Sequence, residues 1–280
     1  MNSTASARVH RFLRDGLVFP VVDTGPQDGP AVVLLHGFPQ DHTSWDGVVP
    51  ELHRCGLRTL TLDQRGYAPG NSPRVRRAYA LPTLADDVLA LLDAAKVSTA
   101  HLVGHDWGGA VAWHLAGTST RVRSATVLST PHPRALAWSM KHSRQALSSS
   151  YMAFFQVPIV PEKVLVHRLG AVFSRSGLPP ERAQAYLDKF AAPAALTGPL
   201  NWYRAALTNR THTPCSTVPT TYLWGNLDFA LRREAAERTA RHVCADYRFI
   251  ELSAGHWLPE THPVAVAGEV LHQVRSVDPA

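Results

Sequence analysis

A chain of 280 residues, 45% of them hydrophobic, can hold one large α/β domain or a core with an inserted subdomain. Its net charge of +6 is almost wholly arginine, because the lysines are only Lys96, Lys141, Lys163 and Lys189. The densest basic group, Arg74, Arg76 and Arg77, is short and lacks interleaved aromatics, so no nucleic-acid partner is expected.

No run approaches the roughly 18 apolar residues of a membrane span, so no membrane is expected either. The opening MNSTASARVHRFLRDG has no apolar stretch followed by a small-residue cleavage site, which predicts a cytoplasmic location. Cys55, Cys215 and Cys244 are scattered and contain no CxxC pair. Reduced, mostly buried thiols and no metal site are expected.

Short apolar runs alternate with helical segments, the pattern of a parallel sheet covered by helices. Residues 31–35 (AVVLL) predict a buried strand, followed by a turn at His36-Gly37. A second strand is predicted over 57–62, ending at Asp63. Residues 83–95 (TLADDVLALLDAA) carry apolar positions at helical spacing, with Thr83 as the expected cap. A strand over 100–103 runs into Gly104-His105-Asp106-Trp107-Gly108-Gly109 and then a helix over 110–116. Another strand is predicted over 122–128. From about 134 to 213 the texture changes to aromatic and helical stretches punctuated by prolines, without a clear strand. Strand character returns at 220–224 and 247–252, with a helix between them and another at the C-terminus. The expected division is a core of 1–133 and 214–280, with 134–213 as a helical lid over the carboxyl edge of the sheet, where ligands bind in open α/β sheets.

The segment HLVGHDWGGAVAW has the form of a strand, a tight turn and a helix, with glycines that permit the sharp corner. A serine is commoner at the apex of such a turn; here it is Asp106. A serine must lose a proton before attacking, whereas a carboxylate with a reference pKa of about 3.9 is already ionised at neutral pH. It can displace a leaving group at a saturated carbon, so an epoxide or an alkyl halide is indicated. The competing role is a simple helix cap.

His36-Gly37-Phe38-Pro39 follows a buried strand, the position of the loop that supplies one oxyanion donor. The backbone amides of Phe38 and Trp107 are the expected pair, His36 the expected brace of the loop, and the Phe38-Pro39 bond is expected to be cis. Hydrolysis of an ester on Asp106 needs a base and a carboxylate to orient it. In the chain order nucleophile, acid, histidine, His256 after the last strand fits the base and Asp228 after the preceding strand fits the acid. No carboxylate competes after the strand at 122–128, where Ser129, Thr130 and His132 stand.

Asp106, Asp228 and His256, with His36-Gly37-Phe38-Pro39 and Gln64-Arg65-Gly66-Tyr67, resemble the soluble epoxide hydrolases of the α/β-hydrolase superfamily, over about residues 15–275. The resemblance implies the α/β-hydrolase fold: a mostly parallel eight-stranded sheet with flanking helices and an inserted helical cap. It also implies two lid tyrosines that hydrogen-bond the oxirane oxygen. Tyr151-Met152-Ala153-Phe154-Phe155-Gln156 resembles the first lid motif and Asn201-Trp202-Tyr203-Arg204 the second. A departing alkoxide is much more basic than a tyrosinate of pKa about 10, so a phenol can protonate it, whereas a halide needs no proton. One departure is the pair Ala68-Pro69, where Gly-x-Ser is commoner, which predicts altered access at the rim.

The expected reaction is therefore epoxide to vicinal diol through an Asp106 ester, with no metal and no organic cofactor. Phe38, Trp107, Phe154, Trp202, Phe229 and Trp257 are the candidate lining of an apolar pocket for an apolar or aromatic epoxide. The rivals are a haloalkane dehalogenase using the same three residues and a non-catalytic small-molecule receptor. A monomer and a homodimer are equally compatible with the sequence.

Overall fold

The computed structural model describes residues 8–208 and 211–279. In chain order the elements are β1 Arg11–Arg14, β2 Leu17–Thr24, β3 Ala31–Leu35, α1 Val49–Arg54, β4 Arg58–Leu62 and α2 Leu81–Ala94. The elbow follows, with β5 Ala100–His105, α3 Trp107–Thr118 and β6 Val122–Leu128. Next come α4 Pro133–His142, α5 Gln145–Ser148, α6 Tyr151–Phe154, α7 Val160–Ser176, α8 Pro180–Lys189 and α9 Pro193–Thr208. The chain closes with β7 Thr220–Gly225, α10 Arg233–Arg238, β8 Tyr247–Leu252, α11 Leu258–Thr261 and α12 Pro263–Val277.

The eight strands form one sheet in the order β1-β2-β4-β3-β5-β6-β7-β8. Only the β1–β2 and β2–β4 pairings are antiparallel; the other five are parallel. Strands β3, β4, β5 and β7 are buried at every position, as expected of a sheet covered on both faces. Two hydrophobic clusters result. One, with Leu91, Val111 and Trp113, extends into the 133–208 helices, and the other packs α1 and α12 under Val32, Val103 and Leu223. This is the α/β-hydrolase fold.

Six of the strands stand where the apolar runs predict them, to within two residues at either end. Local sequence does not predict β1 and β2. Pro20 interrupts β2 and argues against a regular strand. It is tolerated because residues 17–20 pair with β1 while 21–24 pair with β4, so the proline lies where the strand passes from one neighbour to the other. The expected Thr83 cap is corrected. Helix α2 starts two residues earlier, its N-cap is Ala80, and Pro82 occupies the first turn, where a missing N–H costs nothing. The cysteines are free, but the expectation of burial fails: Cys55 and Cys244 are exposed and Cys215 is half-buried. Cys55 ends the surface helix α1, which explains its exposure.

No helix among the described residues is long and apolar enough to cross a membrane. Among the described residues between β6 and β7 the named elements are all helices, and the one β feature is an isolated bridge from Ser216 to Val243.

Candidate active site

The strand order brings the chemistry to one edge. Strands β3 and β5 are neighbours, and so are β7 and β8, so the loops at their carboxyl ends face one another in pairs. The loop after β3 carries Phe38, the corner after β5 carries Asp106, and the loops after β7 and β8 carry Asp228 and His256.

Asp106 has φ +47° and ψ −118°, outside the ordinary allowed regions, and its side chain makes no cap bond to α3. The helix-cap reading therefore fails on geometry. The backbone N–H of Phe38 donates instead to Asp106 Oδ2 at 2.8 Å, and the Trp107 amide also acts on this carboxylate. Gly37 makes the approach possible, because a Cβ there would lie 2.4 Å from Asp106 Cβ. The Phe38-Pro39 peptide is cis. Burial pushes the Asp106 carboxyl above its usual value, against the charge of His256 and the two amides, which favour ionisation.

His256 Nδ1 donates to Asp228 Oδ2 at 2.8 Å. The other oxygen, Oδ1, accepts from the amides of Ala230 (2.8 Å) and Leu231 (3.1 Å). Asp228 is thus a turn residue and a histidine partner at once, one oxygen for each. Burial disfavours an imidazolium, but the Asp228 carboxylate, by charge and hydrogen bond, and the Asp106 charge outweigh it. His256 is raised to about 9.

The two tyrosines come from the intervening helices, Tyr151 from α6 and Tyr203 from α9, with ring centroids 6.1 Å apart. Tyr203 also meets Trp107 at 5.0 Å and Phe38 at 5.2 Å, edge to face. Helix α9 is held close to the sheet by small residues. A Cβ on Gly198 would lie 2.3 Å from the Gly66 carbonyl oxygen, and Trp202 Nε1 donates to the Arg65 carbonyl at 2.8 Å. Burial raises both phenols well above 10, and the nearby Asp106 carboxylate adds to this.

Asp106, Tyr151 and Tyr203 line two cavities at once. One, of about 340 Å³, is also lined by Trp107, Trp202, Leu136 and Met140. The other, of about 440 Å³, takes Phe38, Phe154, Phe229, His256 and Trp257. All six aromatic residues expected around the pocket therefore line one cavity or the other. Phe154 and Phe229 are partly exposed, at 37% and 49%, which puts them at a mouth rather than in the interior. Neither Ala68 nor Pro69 lines either of these two cavities; Ala68 is buried and Pro69 is exposed.

Sequence reasoning missed the support beneath the oxyanion loop. His36 braces it as expected: fully buried, it is held near pKa 4 by burial, and its Nε2 accepts from the Gln64 amide at 3.1 Å. Gln40, equally buried, is the larger brace. Its Oε1 accepts from the Gly37 amide and lies 2.8 Å from His105 Nδ1, while its Nε2 donates to Glu260 Oε1 at 2.6 Å. His105 Nε2 lies 2.9 Å from the His256 carbonyl, which links the two loops. Burial raises Glu260 to about 7. A polar residue four positions after His36 is the only local signal for Gln40, and it is a weak one.

Among the described residues one group, Asp41, His42 and Asp63, has the spacing of metal ligands. Its charge is already met. Lys189 Nζ, from α8, donates to Asp41 Oδ2 and Asp63 Oδ2 at 2.9 Å each, tying the intervening helices to the core.

A strained carboxylate corner, a paired histidine and acid, and amide donors from two loops define a hydrolase of the α/β type, and residues 30–263 match the family described as alpha/beta hydrolase fold. The chain is 34% identical to the AB hydrolase superfamily protein YfhM of Bacillus subtilis, over 94% of this chain and 96% of that one. It is 36% identical to Epoxide hydrolase 4 of Homo sapiens, over 93% of this chain and 77% of the relative. Epoxide hydrolase A from Mycobacterium thermoresistibile superposes with a TM-score of 0.83 at 28% identity, covering 95% and 98% of the two chains. This chain belongs to the epoxide hydrolase family of the α/β-hydrolase superfamily.

Proposed function

We propose that this enzyme converts an epoxide to a vicinal diol through a hydroxyalkyl ester on Asp106. The observation that carries the reading is the position of the Asp106 carboxylate, at the junction of two apolar cavities with both phenols lining the same junction. An epoxide lodged there can extend one apolar substituent into each cavity.

Asp106 Oδ2 is already engaged by the Phe38 amide, which leaves Oδ1 to attack an oxirane carbon. The carbon–oxygen bond breaks, and Tyr151 or Tyr203 gives its proton to the departing alkoxide while the other phenol holds it. Oδ2 then becomes the ester carbonyl oxygen, already in its donor site. His256, oriented by Asp228, takes a proton from water, and the hydroxide adds to the ester carbonyl. The Phe38 and Trp107 amides stabilise the oxyanion. Collapse releases the diol and restores the carboxylate, and the imidazolium proton returns to the tyrosinate through solvent.

The resting state also fits this sequence. His256 is charged while Asp106 is charged, and alkylation removes one of the negative groups that raise it. The base becomes available when the ester needs it. Residues 134–213 act as the cap, supplying both phenols and shielding the ester from bulk water.

The test is the intact mass of His256→Ala after incubation with a simple aryl or alkyl epoxide. The protein should gain the whole epoxide mass, and Asp106→Ala should gain nothing. A haloalkane that alkylates this variant and releases halide, with no epoxide adduct, would replace this reading with a dehalogenase. Tight epoxide binding with no adduct at all would indicate a receptor.

A further inference from the structure

The sequence argues against a span across the bilayer, and no helix among the described residues could make one. Lying on a lipid surface is a different arrangement, and one face of the protein has the chemistry for it. The exposed positions of α7 are Val160, Lys163, Val164, His167, Arg168, Ala171, Val172, Ser174 and Arg175. Apolar and basic residues alternate along this face, and no exposed residue of the helix is acidic. Its one carboxylate, Glu162, points inward and is paired with Arg204 at 2.8 Å.

The turn leading into the helix is more apolar still. Val157, Pro158 and Ile159 are all exposed. Ile159 has φ +71°, a genuine outlier for a β-branched residue, yet its side chain is 64% exposed. Interior packing does not account for an isoleucine there. Val172 and Arg175 of the same face, and Phe154 just before the turn, line the 440 Å³ cavity that reaches Asp106.

We propose that this turn and the exposed face of α7 form a docking surface for an anionic lipid membrane. The apolar side chains enter the headgroup boundary, and Lys163, Arg168 and Arg175 meet lipid phosphates. The partner is chosen by charge. An apolar, carboxylate-free, cationic face complements an anionic lipid surface, while a second copy of this chain would set like charges against each other. The mouth of the cavity would then open toward the phase in which apolar epoxides concentrate.

The experiment is sedimentation of the intact protein with vesicles of equal phosphatidylglycerol and phosphatidylcholine, and with phosphatidylcholine alone. Binding is expected on the anionic vesicles and should be lost in roughly 1 M salt, where charges are screened beyond about 3 Å. Lys163→Gln combined with Arg168→Gln should weaken partitioning by at least about tenfold, given roughly fivefold per cation. Ile159→Ser combined with Val160→Ser should do the same, with the circular dichroism and melting curve unchanged. Both pairs should keep wild-type turnover of an epoxide dissolved in water and lose turnover of one delivered in vesicles.

Equal binding to both vesicle types, or anionic-vesicle binding unchanged in both double variants, would overturn the proposal. So would a dimer in solution that Ile159→Ser dissociates, because the face would then be covered by another copy. The vesicle-binding and oligomer readouts do not depend on the Asp106 chemistry; only the turnover comparison does.

Discussion

The backbone amide of Phe38 and the carboxylate of Asp106, 68 positions apart in sequence, meet at 2.8 Å. In the proposed mechanism this contact fills the oxyanion site of the resting enzyme with the oxygen that is to carry the charge. It holds one of the two carboxylate oxygens, and the proposal assigns attack to the other. Labelling checks this. In a single turnover in ¹⁸O water the new label should enter Asp106, and the diol should carry the oxygen that Oδ1 contributed. Label going directly into the diol while Asp106 stays unlabelled would rule out the ester route.

Stability should fall with rising pH in two separate windows. Asp106 is raised by burial, so its ionisation favours the unfolded chain, and its contribution falls as pH rises from about 3.8 toward the folded value. Asp106→Asn should therefore melt higher than wild type at pH 7, by about 2–4 °C, the response of a chain this size to roughly 1 kcal/mol. A lower melting point would mean the carboxylate contributes to the fold.

His256 acts with the same sign in a higher window. Its folded value, about 9, lies above the usual 6.5, so its stabilisation is complete below 6.5 and is lost as pH rises through about 9. Asp228→Asn should flatten the fall in melting temperature between pH 6.5 and 9. In catalysis the same variant should lower ester hydrolysis by about 10²–10⁴-fold while alkylation is reduced far less. Rapid mixing with mass detection separates the two steps. Hydrolysis in the wild type should titrate below 9, because the Asp106 charge has gone when that step begins.

Tyr151→Phe and Tyr203→Phe should each slow alkylation by about 10- to 100-fold, and the double variant should lose nearly all of it. Because both phenols are held above 10 by burial and the Asp106 charge, alkylation should show no loss from phenol ionisation up to pH 10. Stopped-flow tryptophan fluorescence can follow the step, given Trp107 at 5.0 Å from Tyr203. Wild-type alkylation in the double variant would remove the phenols from the mechanism.

Gln40→Ala should cost more stability than any surface substitution. It leaves the buried Gly37 amide without its partner, at about 1–3 kcal/mol for an orphaned group, and takes away one of the two donors to Glu260 Oε1, the other being the Tyr186 hydroxyl. The loop that presents Phe38 loses its brace, so alkylation should fall as well. Urea titration and single-turnover mass measurement report the two effects. A variant as stable and as fast as wild type would reduce Gln40 to a filler.

The amino-acid sequence by itself was enough for six strands and the sharp corner at 104–109, and it singled out Asp106, Asp228 and His256 as candidates. Each of these rests on a local pattern: a buried run, a glycine-flanked apex, a polar residue just past a strand. It was not enough for β1 and β2, whose pairing partners and tolerance of Pro20 depend on neighbours distant in the chain. Nor could it show Gln40, His105 and Glu260 as one network, because hydrogen bonds across 65 and 220 positions leave no local trace. The likeness of Tyr151 and Tyr203 to lid motifs was legible, but their meeting over Asp106 was decided by tertiary packing of α9 against the Arg65-Gly66 turn. Periodicity and turn chemistry are properties of neighbouring residues. The shape of a cavity, the burial that shifts a carboxyl, and an isoleucine held outward at a helix entrance arise only when separate segments pack together.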